Sequence, residues 1–365
     1  VTVDHEASVS ADVVDEILPT KALVSRVAKT PTQGPILSRL RYGTNEWNAV
    51  DIPACIKKLK SVLRSYDRPI LISRCNPAMS AIVAWYCRDL AYRWIAHFSD
   101  PFPWAFGDGL RMKLQRAVLS RWGRRVISDA DAISVTCPNV LRFFSESYGD
   151  LFTRNEQKFF VLTHIGEPFI SPPNDEALSL PLDMPILSHV GNFPEQRFSQ
   201  NLAEELLELA NSGFCFRFIQ AGYIPEFVEK RFSDNGAYAF ERVQLRDPRS
   251  ASELFLQSDI NLTIDLDVGS DYIPFLPSKF VYQLFSDRPI LAYTRADSPM
   301  AQLASEYKEA GVFFADVDRR GDLAKVVREI LALEKQNFDR DEIRKRYLKK
   351  TIRETFLDRV RQILD

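Results

Sequence analysis

The sequence predicts an α/β protein built from two doubly wound, Rossmann-like domains in tandem. Three observations favour this: the length, the alternation of short apolar runs with amphipathic stretches, and one proline-rich interruption. The chain has 365 residues, which exceeds the size at which a single hydrophobic core stops growing. Short strands that alternate with helices are typical of βαβ units, and these units form parallel sheets.

Two series of apolar runs define the expected sheets. The first domain is predicted to have strands at Ala22–Val27, Pro69–Arg74, Arg93–Phe98, Ala132–Thr136 and Phe159–Leu162, with helices at Ile56–Leu63, Ala78–Tyr92, Leu110–Ile127 and Val140–Tyr148. The second is predicted to have strands at Ile186–Val190, Cys215–Ala221, Arg242–Leu245, Ile260–Ile264, Ile290–Tyr293 and Val312–Phe314, with helices at Leu202–Asn211, Ala251–Gln257, Lys279–Phe285 and Leu323–Glu334.

A stretch rich in proline and poor in periodicity, Gly166–Pro185, is the predicted linker. We therefore expect an N-terminal domain over residues 1–166, a linker over 167–185 and a second domain over 186–340. Residues 341–365 are expected to form a terminal helix that packs on its apolar stripe or braces one domain against the other. The two domains are expected to face each other across a cleft that holds the largest pocket.

Composition excludes several classes of function. The net charge is −2, so no global electrostatic attraction to nucleic acid is expected. Four histidines without metal-ligand spacing argue against a zinc site, and we expect neither a metal nor a cofactor. Scattered cysteines without a CxxC pair indicate a reducing, cytoplasmic location. No apolar run approaches the roughly 20 residues of a membrane span, and the strand-like start at Val1 indicates an upstream segment.

The turn that follows the strand Ile186–Val190 is the first candidate site. Gly191 permits a close approach of the backbone to a ligand, and Asn192 and Arg197 follow it before a helix begins near Ser199. Arg197 offers a permanent, fork-shaped cation for a diphosphate. The alternative is an ordinary strand-to-helix turn with a solvated arginine.

A second candidate site follows the strand Ile260–Ile264. Ser278 is expected to cap a helix whose first turn contains Lys279. A cation is unfavourable at that end of a helix dipole, which indicates that Lys279 binds an anion. A solvated lysine is the alternative. Because ligands bind beyond the carboxyl ends of strands in open sheets, both candidate sites lie at the expected position.

The first domain has a third candidate, His97 and Asp100, at the end of the strand Arg93–Phe98 and before a proline-rich turn. An imidazole exchanges protons near neutral pH, so His97 is predicted to position or deprotonate an acceptor hydroxyl together with Asp100. The alternative is a hydrogen-bonded histidine at a strand end and an aspartate that caps the turn.

The helix Leu110–Ile127 combines basic residues with an apolar stripe that includes Trp122. A basic amphipathic helix of this kind can lie on an anionic membrane surface. Packing of the apolar stripe against the domain core, with a solvated basic face, is the alternative.

The order of motifs in the second half resembles glycosyltransferase family 4. The matching segments, in chain order, are the strand ending at Gly191, Ile219–Gly222, Val243–Asp247, Ser250–Leu254, Ser258–Leu262, Leu276–Lys279 and Asp287–Ala292. In the first half, Trp94–Phe102 is similar to the strand and turn that precede the family's acceptor site. The resemblance therefore covers nearly the whole chain, and the order of these short motifs is its specific part.

The resemblance implies a GT-B fold and retaining transfer from a nucleotide diphosphate sugar to a hydroxyl of a glycan or lipid-linked acceptor, as in polysaccharide biosynthesis. It implies no metal or cofactor besides the donor substrate. The donor-binding residues it implies are Gly191, Asn192, Arg197, Gly222, Leu245, Arg246, Ser278, Lys279, Tyr282 and Gln283.

The chain departs from the family pattern at its acidic residues. The family commonly has a pair of glutamates here, and Pro274 and Tyr282 stand at those positions. Tyr282 or Gln283 is then expected to contact the ribose. The Arg and Lys pair that grips the diphosphate corresponds to Asn192 and Arg197. A non-catalytic binding or scaffolding relative is therefore the alternative, and a sugar-nucleotide epimerase would require more acids and histidines.

Overall fold

A computed structural model of the chain describes Tyr42 and residues 51–75, 78–103, 110–167, 184–234, 236–244, 248–269, 272–333 and 338–365. The predicted strand Ala22–Val27, the site residues Leu245 and Arg246, and most of the predicted linker lie outside the described residues. The described residues form two compact units. Unit 1 extends to Leu162 and includes Arg353–Asp365, and unit 2 spans Thr163–Ile352.

The described part of unit 1 contains a parallel sheet whose four strands are adjacent in the order β1–β2–β3–β4. The pattern of short apolar runs predicted all four of them. Their bounds are β1 Ile70–Arg74, β2 Arg93–Phe98, β3 Ala132–Val135 and β4 Phe159–Val161. The helices are α1 Ile52–Leu63, α2 Met79–Tyr86, α3 Leu110–Asp129, α4 Pro138–Tyr148 and the short α5 Asp150–Thr153.

Unit 2 contains a six-stranded parallel sheet in the order β10–β9–β8–β5–β6–β7. The strands are β5 Ile186–Val190, β6 Arg217–Ala221, β7 Ala239–Val243, β8 Ile260–Ile264, β9 Ile290–Thr294 and β10 Val312–Asp316. The helices are α6 Ser199–Asn211, α7 Glu226–Ser233, α8 Pro248–Gln257, α9 Ser278–Gln283, α10 Pro299–Glu306, α11 Asp322–Ala332, α12 Asp341–Tyr347 and α13 Lys349–Leu364.

The apolar runs of unit 2 are strands because both faces of the sheet are covered. Along β5, the side chain of Leu187 lies in one hydrophobic core, whereas those of Ile186 and Val190 lie in a second. A parallel sheet buried on both faces needs apolar residues at successive positions, which produces a continuous run rather than an alternating one. The fold-class prediction of parallel α/β architecture is therefore confirmed.

The chain end differs from the single helix expected for residues 341–365. Two helices occupy it, α12 and α13, and Leu348 between them has an extended backbone that interrupts the helix. The division between the units falls at Ile352 and Arg353, within α13. The first division falls at Leu162 and Thr163, just before the predicted linker rather than within it.

Candidate functional site

The strand order of unit 2 reverses between β5 and β8. The chain passes outward from β5 through β6 to β7, and then returns to β8 on the other side of β5. Because the connections on the two sides of such a reversal diverge, they leave a crevice at the carboxyl ends of the two central strands. Gly191 follows β5 and Asp265 follows β8, so both residues border this crevice.

Two glycines let the chain pass closely at this edge. Gly191 and Gly222 have φ angles of +138° and +122°, which residues with a Cβ atom rarely adopt. A Cβ atom on Gly222 would lie 2.7 Å from the carbonyl oxygen of Gly191. The Gly191 N–H donates to the carbonyl of Ala221 at 2.7 Å. The turns that follow β5 and β6 are therefore packed backbone against backbone.

The side chain of Lys279, from α9, extends over Gly191. An ideal Cβ atom on Gly191 would lie 2.6 Å from the Nζ atom of Lys279, so only glycine leaves space for the ammonium group. Burial, and then the nearby Arg197, lower the pKa of Lys279. Among the described residues, no hydrogen bond or ion pair involves this ammonium. An anion at the turn would supply the missing partner.

Arg197 is the second cation at the same edge. Its Nε donates to the carbonyl of Asn192 at 2.7 Å, and its Nη1 donates to the carbonyl of Ile264. Burial lowers the pKa of Arg197, and the carboxyl group of Asp265 partly opposes that effect. The guanidinium is thus held between the end of β8 and the turn after β5.

Asp265 is a buried acid beside these cations that the sequence reasoning did not single out. The hydroxyl of Thr294 donates to its Oδ2, whereas its Oδ1 has no hydrogen-bond partner within the described structure. Burial raises the pKa of Asp265 to about 7. The only signal available in the sequence was an aspartate at the end of an apolar strand.

Two other buried polar residues, His189 and Gln220, lie beneath the Gly191 turn. They are paired across β5 and β6, and His189 Nδ1 lies 2.8 Å from Gln220 Oε1. The Nε2 of Gln220 donates to the carbonyl of Gly191 at 2.7 Å. A polar side chain within each of two otherwise apolar strands was the signal that could have identified them.

The structure corrects two predictions for α9. Ser278 is the first residue of the helix rather than its cap, because Pro277 occupies the cap position without a side-chain hydrogen bond. Gln283 is 1% exposed, and its Oε1 accepts a hydrogen bond from Thr263. It therefore lies in the interior and not at a ligand surface. Tyr282 is 43% exposed and remains accessible.

In unit 1, His97 is the penultimate residue of β2 and is half-buried. Its Nδ1 lies 3.0 Å from the Oγ of Ser134, the residue paired with it on β3. Asp100 follows the strand, and its Oδ2 accepts a hydrogen bond from Ser99. Both predicted residues lie at the carboxyl end of the sheet, where a substrate could reach them.

The apolar stripe of α3 packs within unit 1 over the second half of the helix. Trp122 is 2% exposed, and Val126 is fully buried. The guanidinium of Arg125 lies 4.4 Å from the ring centroid of Trp122. The indole of Trp122 therefore belongs to the core of unit 1 and is not available to a membrane surface, whereas lipid contact by other parts of the helix stays a prediction. Leu110 and Leu114, at the start of the helix, are 75% and 60% exposed.

The described part of the chain contains neither a metal-binding cluster nor a membrane-spanning helix. Within it, no group of three histidine, cysteine or acidic side chains is arranged to hold a metal ion. No helix in the same residues has the length and apolarity needed to cross a membrane. These residues also contain four buried free cysteines and one exposed, Cys215.

Known structures resemble the chain over most of its length. A sucrose-phosphate synthase from Thermosynechococcus elongatus matches with a TM-score of 0.64 at 16% identity, over 93% of this chain and 82% of that one. A glycosyltransferase from Rickettsia africae matches with a TM-score of 0.63 at 14% identity, over 98% of this chain and 89% of that one. A UDP-forming trehalose-phosphate synthase from Burkholderia xenovorans matches with a TM-score of 0.60 at 12% identity, over 87% of this chain and 78% of that one.

Sequence comparison adds no closer relationship. No family model matches the chain, and no curated protein matches it. At the identities given above, structural similarity shows the fold alone. The chain has the GT-B fold, the fold of these sugar-transferring enzymes.

Proposed function

We propose that the protein is a glycosyltransferase that uses a nucleoside diphosphate sugar as its donor. The observation that carries this proposal is the Gly191 turn, where Lys279 and Arg197 bring two cations to the carboxyl edge of unit 2. The turn lies at the reversal of strand order, which is where doubly wound sheets bind nucleotides. A diphosphate matches this site in charge and in its need for close contact with the backbone.

The same cations support the chemistry of transfer. Negative charge develops on the diphosphate as the bond to the sugar breaks, and fixed cations in a partly buried site stabilise that charge. Arg197 is already oriented by its bonds to Asn192 and Ile264. Burial of Lys279 lowers its pKa, and an anionic partner would raise it again, so donor binding favours the charged ammonium.

The acceptor is proposed to react beside His97 and Asp100. The resemblance to family 4 favours retention of the sugar configuration and a hydroxyl acceptor on a glycan or a lipid-linked glycan. A lipid-linked acceptor is supported by α3, whose first turns expose Leu110 and Leu114 next to basic residues. We propose peripheral contact with anionic lipid there, through the first half of the helix only.

Binding experiments test the donor site. We expect UDP, GDP or ADP to raise the melting temperature, because a ligand that binds only the folded state stabilises it. Arg197→Ala and Lys279→Ala should each weaken that binding roughly tenfold to a hundredfold, since a charge-assisted hydrogen bond contributes about 1.5–3 kcal/mol. Lys230→Ala is the matched control, because Lys230 lies in the same unit and pairs on the surface with Glu226.

The proposal fails if none of the nucleotides binds the wild type. It also fails if the Arg197 and Lys279 variants bind as tightly as the Lys230 control. Transfer itself is measured by release of nucleoside diphosphate from a panel of nucleotide sugars with and without candidate acceptors.

A non-catalytic binding subunit is the second candidate function. One observation favours it: Pro274 is buried and Tyr282 is exposed at the positions where family 4 commonly has glutamates. Such a protein would bind nucleoside diphosphates through the Gly191 turn but release none from nucleotide sugars. Calorimetric binding together with turnover no faster than the spontaneous rate would favour this candidate over the enzyme.

A further inference from the structure

Two fully buried polar side chains lie directly beneath the Gly191 turn. His189 on β5 and Gln220 on β6 are 2% and 0% exposed, and the parallel register places them opposite each other. Burial of polar groups is unfavourable unless they are hydrogen-bonded. Here His189 is hydrogen-bonded to the side chain of Gln220, and Gln220 is hydrogen-bonded in turn to the carbonyl of Gly191.

The chemistry of these groups fixes the direction of each bond. A backbone carbonyl only accepts hydrogen bonds, so the Nε2 of Gln220 must face Gly191. The Oε1 of Gln220 then faces His189, and because this oxygen also only accepts, the Nδ1 of His189 must carry a proton. The neutral ring therefore exists as the Nδ1–H tautomer.

These bonds determine the orientation of the peptide between Gly191 and Asn192. The C=O and N–H groups of a trans peptide point in opposite directions, so holding the Gly191 carbonyl towards β6 turns the Asn192 N–H away from β6. The neighbouring N–H groups point towards β6, since that of Gly191 donates to the carbonyl of Ala221, the last residue of β6, and that of Phe193 donates to the carbonyl of Tyr223 beyond it. The Asn192 N–H thus faces the side on which β8 ends.

The Asn192 N–H makes no hydrogen bond with any residue that the structure describes. The two carbonyls of the turn are both occupied, that of Gly191 by Gln220 and that of Asn192 by Arg197. The carbonyl oxygens of Gly191 and Asn192 therefore already accept hydrogen bonds within the protein, whereas the Asn192 N–H remains available to a ligand. This donor lies at the reversal of strand order, in the turn over which Lys279 extends.

We propose that His189 and Gln220 are positioning residues that hold the 191–192 peptide with its N–H directed at the diphosphate of the donor. This inference rests on the proposed function and adds a backbone donor to the two cations. His189 acts only through Gln220 and the peptide, and neither side chain is proposed to touch the ligand.

The electrostatic surroundings keep His189 in the neutral form. Burial first, and then the positive charges of Arg197 and Lys279, lower its pKa well below the usual value, whereas the bond to Gln220 opposes the shift. A neutral ring adds no third charge beneath the turn and supplies the proton that the oxygen of Gln220 requires.

The test compares Gln220→Met with Asn261→Leu. Both changes remove one buried amide from the sheet of unit 2 and keep the volume similar. Asn261 lies near the start of β8, where its Nδ2 donates to the carbonyl of Phe255 at 3.0 Å. Both variants should lose stability, but only Gln220→Met should bind inorganic pyrophosphate at least tenfold more weakly than the wild type at pH 7.5.

Nuclear magnetic resonance supplies a readout that a purely structural role would not change. In the wild type, the ¹⁵N shifts of His189 should show a neutral Nδ1–H ring at pH 6, and pyrophosphate should shift the Asn192 amide signal. An Nε2–H or charged ring overturns the inference, and so does equal pyrophosphate affinity in the two variants. If Arg197→Ala weakens pyrophosphate binding but Gln220→Met does not, this inference alone is overturned. If the wild type binds neither pyrophosphate nor a nucleotide, the proposed function is overturned as well.

Discussion

A methyl group on Gly222 would lie 2.7 Å from the carbonyl oxygen of Gly191 and 2.9 Å from its carbonyl carbon. Both atoms belong to the backbone, so they cannot move aside as the end of a flexible side chain could. The two turns at the carboxyl edge of β5 and β6 therefore approach this closely only because residue 222 has no side chain. Since the Gly191 carbonyl also receives the hydrogen bond from Gln220, this contact helps to fix the whole turn.

We expect Gly222→Ala to destabilise the protein and weaken pyrophosphate binding. The strained φ of +122° contributes a cost of about 1–3 kcal/mol, and the backbone contact adds to it. Gly213→Ala is the control, because Gly213 also has a positive φ, +83°, but has no atom within 4 Å of the added methyl group. Urea denaturation of both variants measures the difference. Equal losses of stability would show that the contact with Gly191 is unimportant.

Asp265→Asn should change how stability depends on pH. Burial raises the pKa of Asp265 from 3.8 to about 7, so between these values the folded state keeps a proton that the unfolded state releases. Wild-type stability therefore falls as pH rises through this window, at up to about 1.4 kcal/mol per pH unit from this group. The asparagine variant lacks this term and should gain stability relative to the wild type between pH 5 and pH 8. Parallel pH profiles in urea titrations would contradict the prediction.

Arg340→Met should be among the most destabilising changes in unit 2. The guanidinium is 1% exposed and donates to the carbonyls of Ser286, Arg288, Ala310 and Gly311. Its loss would remove this donor from the carbonyls of Arg288 and Ala310, at about 1–3 kcal/mol for each. The carbonyls of Ser286 and Gly311 would keep hydrogen bonds from Arg344 and from the N–H of Ile290. We expect a total loss above about 3 kcal/mol in thermal or chemical unfolding. Arg346→Met removes half-exposed ion pairs with Glu306 and Glu342 and a contact with the ring of Tyr307, and should cost less than about 1 kcal/mol.

His97→Ala and Asp100→Asn test the proposed acceptor site. If the imidazole accepts the hydroxyl proton, its loss should lower the transfer rate by about 10²–10⁴-fold, with donor affinity unchanged. A smaller loss is expected for Asp100→Asn, because the amide retains a hydrogen-bonding oxygen. Ser134→Ala separates positioning from proton transfer, since it removes only the partner of the His97 ring. Near-normal turnover in both the His97 and Asp100 variants, with intact folding, would place the acceptor chemistry elsewhere.

Flotation with anionic liposomes tests the proposed lipid contact. Reversing Lys113 and Arg116, which lie in the first half of α3, to glutamate should reduce binding and its dependence on salt, because basic residues near the surface attract anionic lipid. Arg125 is left unchanged, since it packs on the ring of Trp122. The control variant reverses the exposed Arg353 and Arg361 of α13 to glutamate, which changes the net charge by the same amount as the α3 variant. Absence of wild-type binding, or equal effects of the two double variants, would reject the contact.

The central strands could be predicted closely from the sequence. The expected bounds Arg93–Phe98, Ile186–Val190 and Ile260–Ile264 are those in the structure. A strand covered on both faces must be apolar at successive positions, so its identity is encoded locally. The helices α7 and α10, of eight residues each, were not predicted from the sequence.

The candidate site was predicted only in part. Gly191, Arg197 and Lys279 were recognisable because cations follow strand ends, and strand ends of a parallel sheet share one edge. The buried position of Gln283 was not, since a short helix between two strands gives no reliable sign of which face is covered. The burial of Trp122 also depended on packing, because an amphipathic stripe fits either a core or a membrane surface.

By itself, the sequence determined the α/β class, the succession of the described strands along the chain and the residue types at the carboxyl edge of each strand, because those depend on burial and neighbouring positions. The tertiary structure decided which of these residues meet. His189 and Gln220 are 31 positions apart in the sequence and become partners only when β5 and β6 pair in register. Hydrogen bonds require specific distances and directions, and only the assembled sheet supplies them to residues so far apart in the chain.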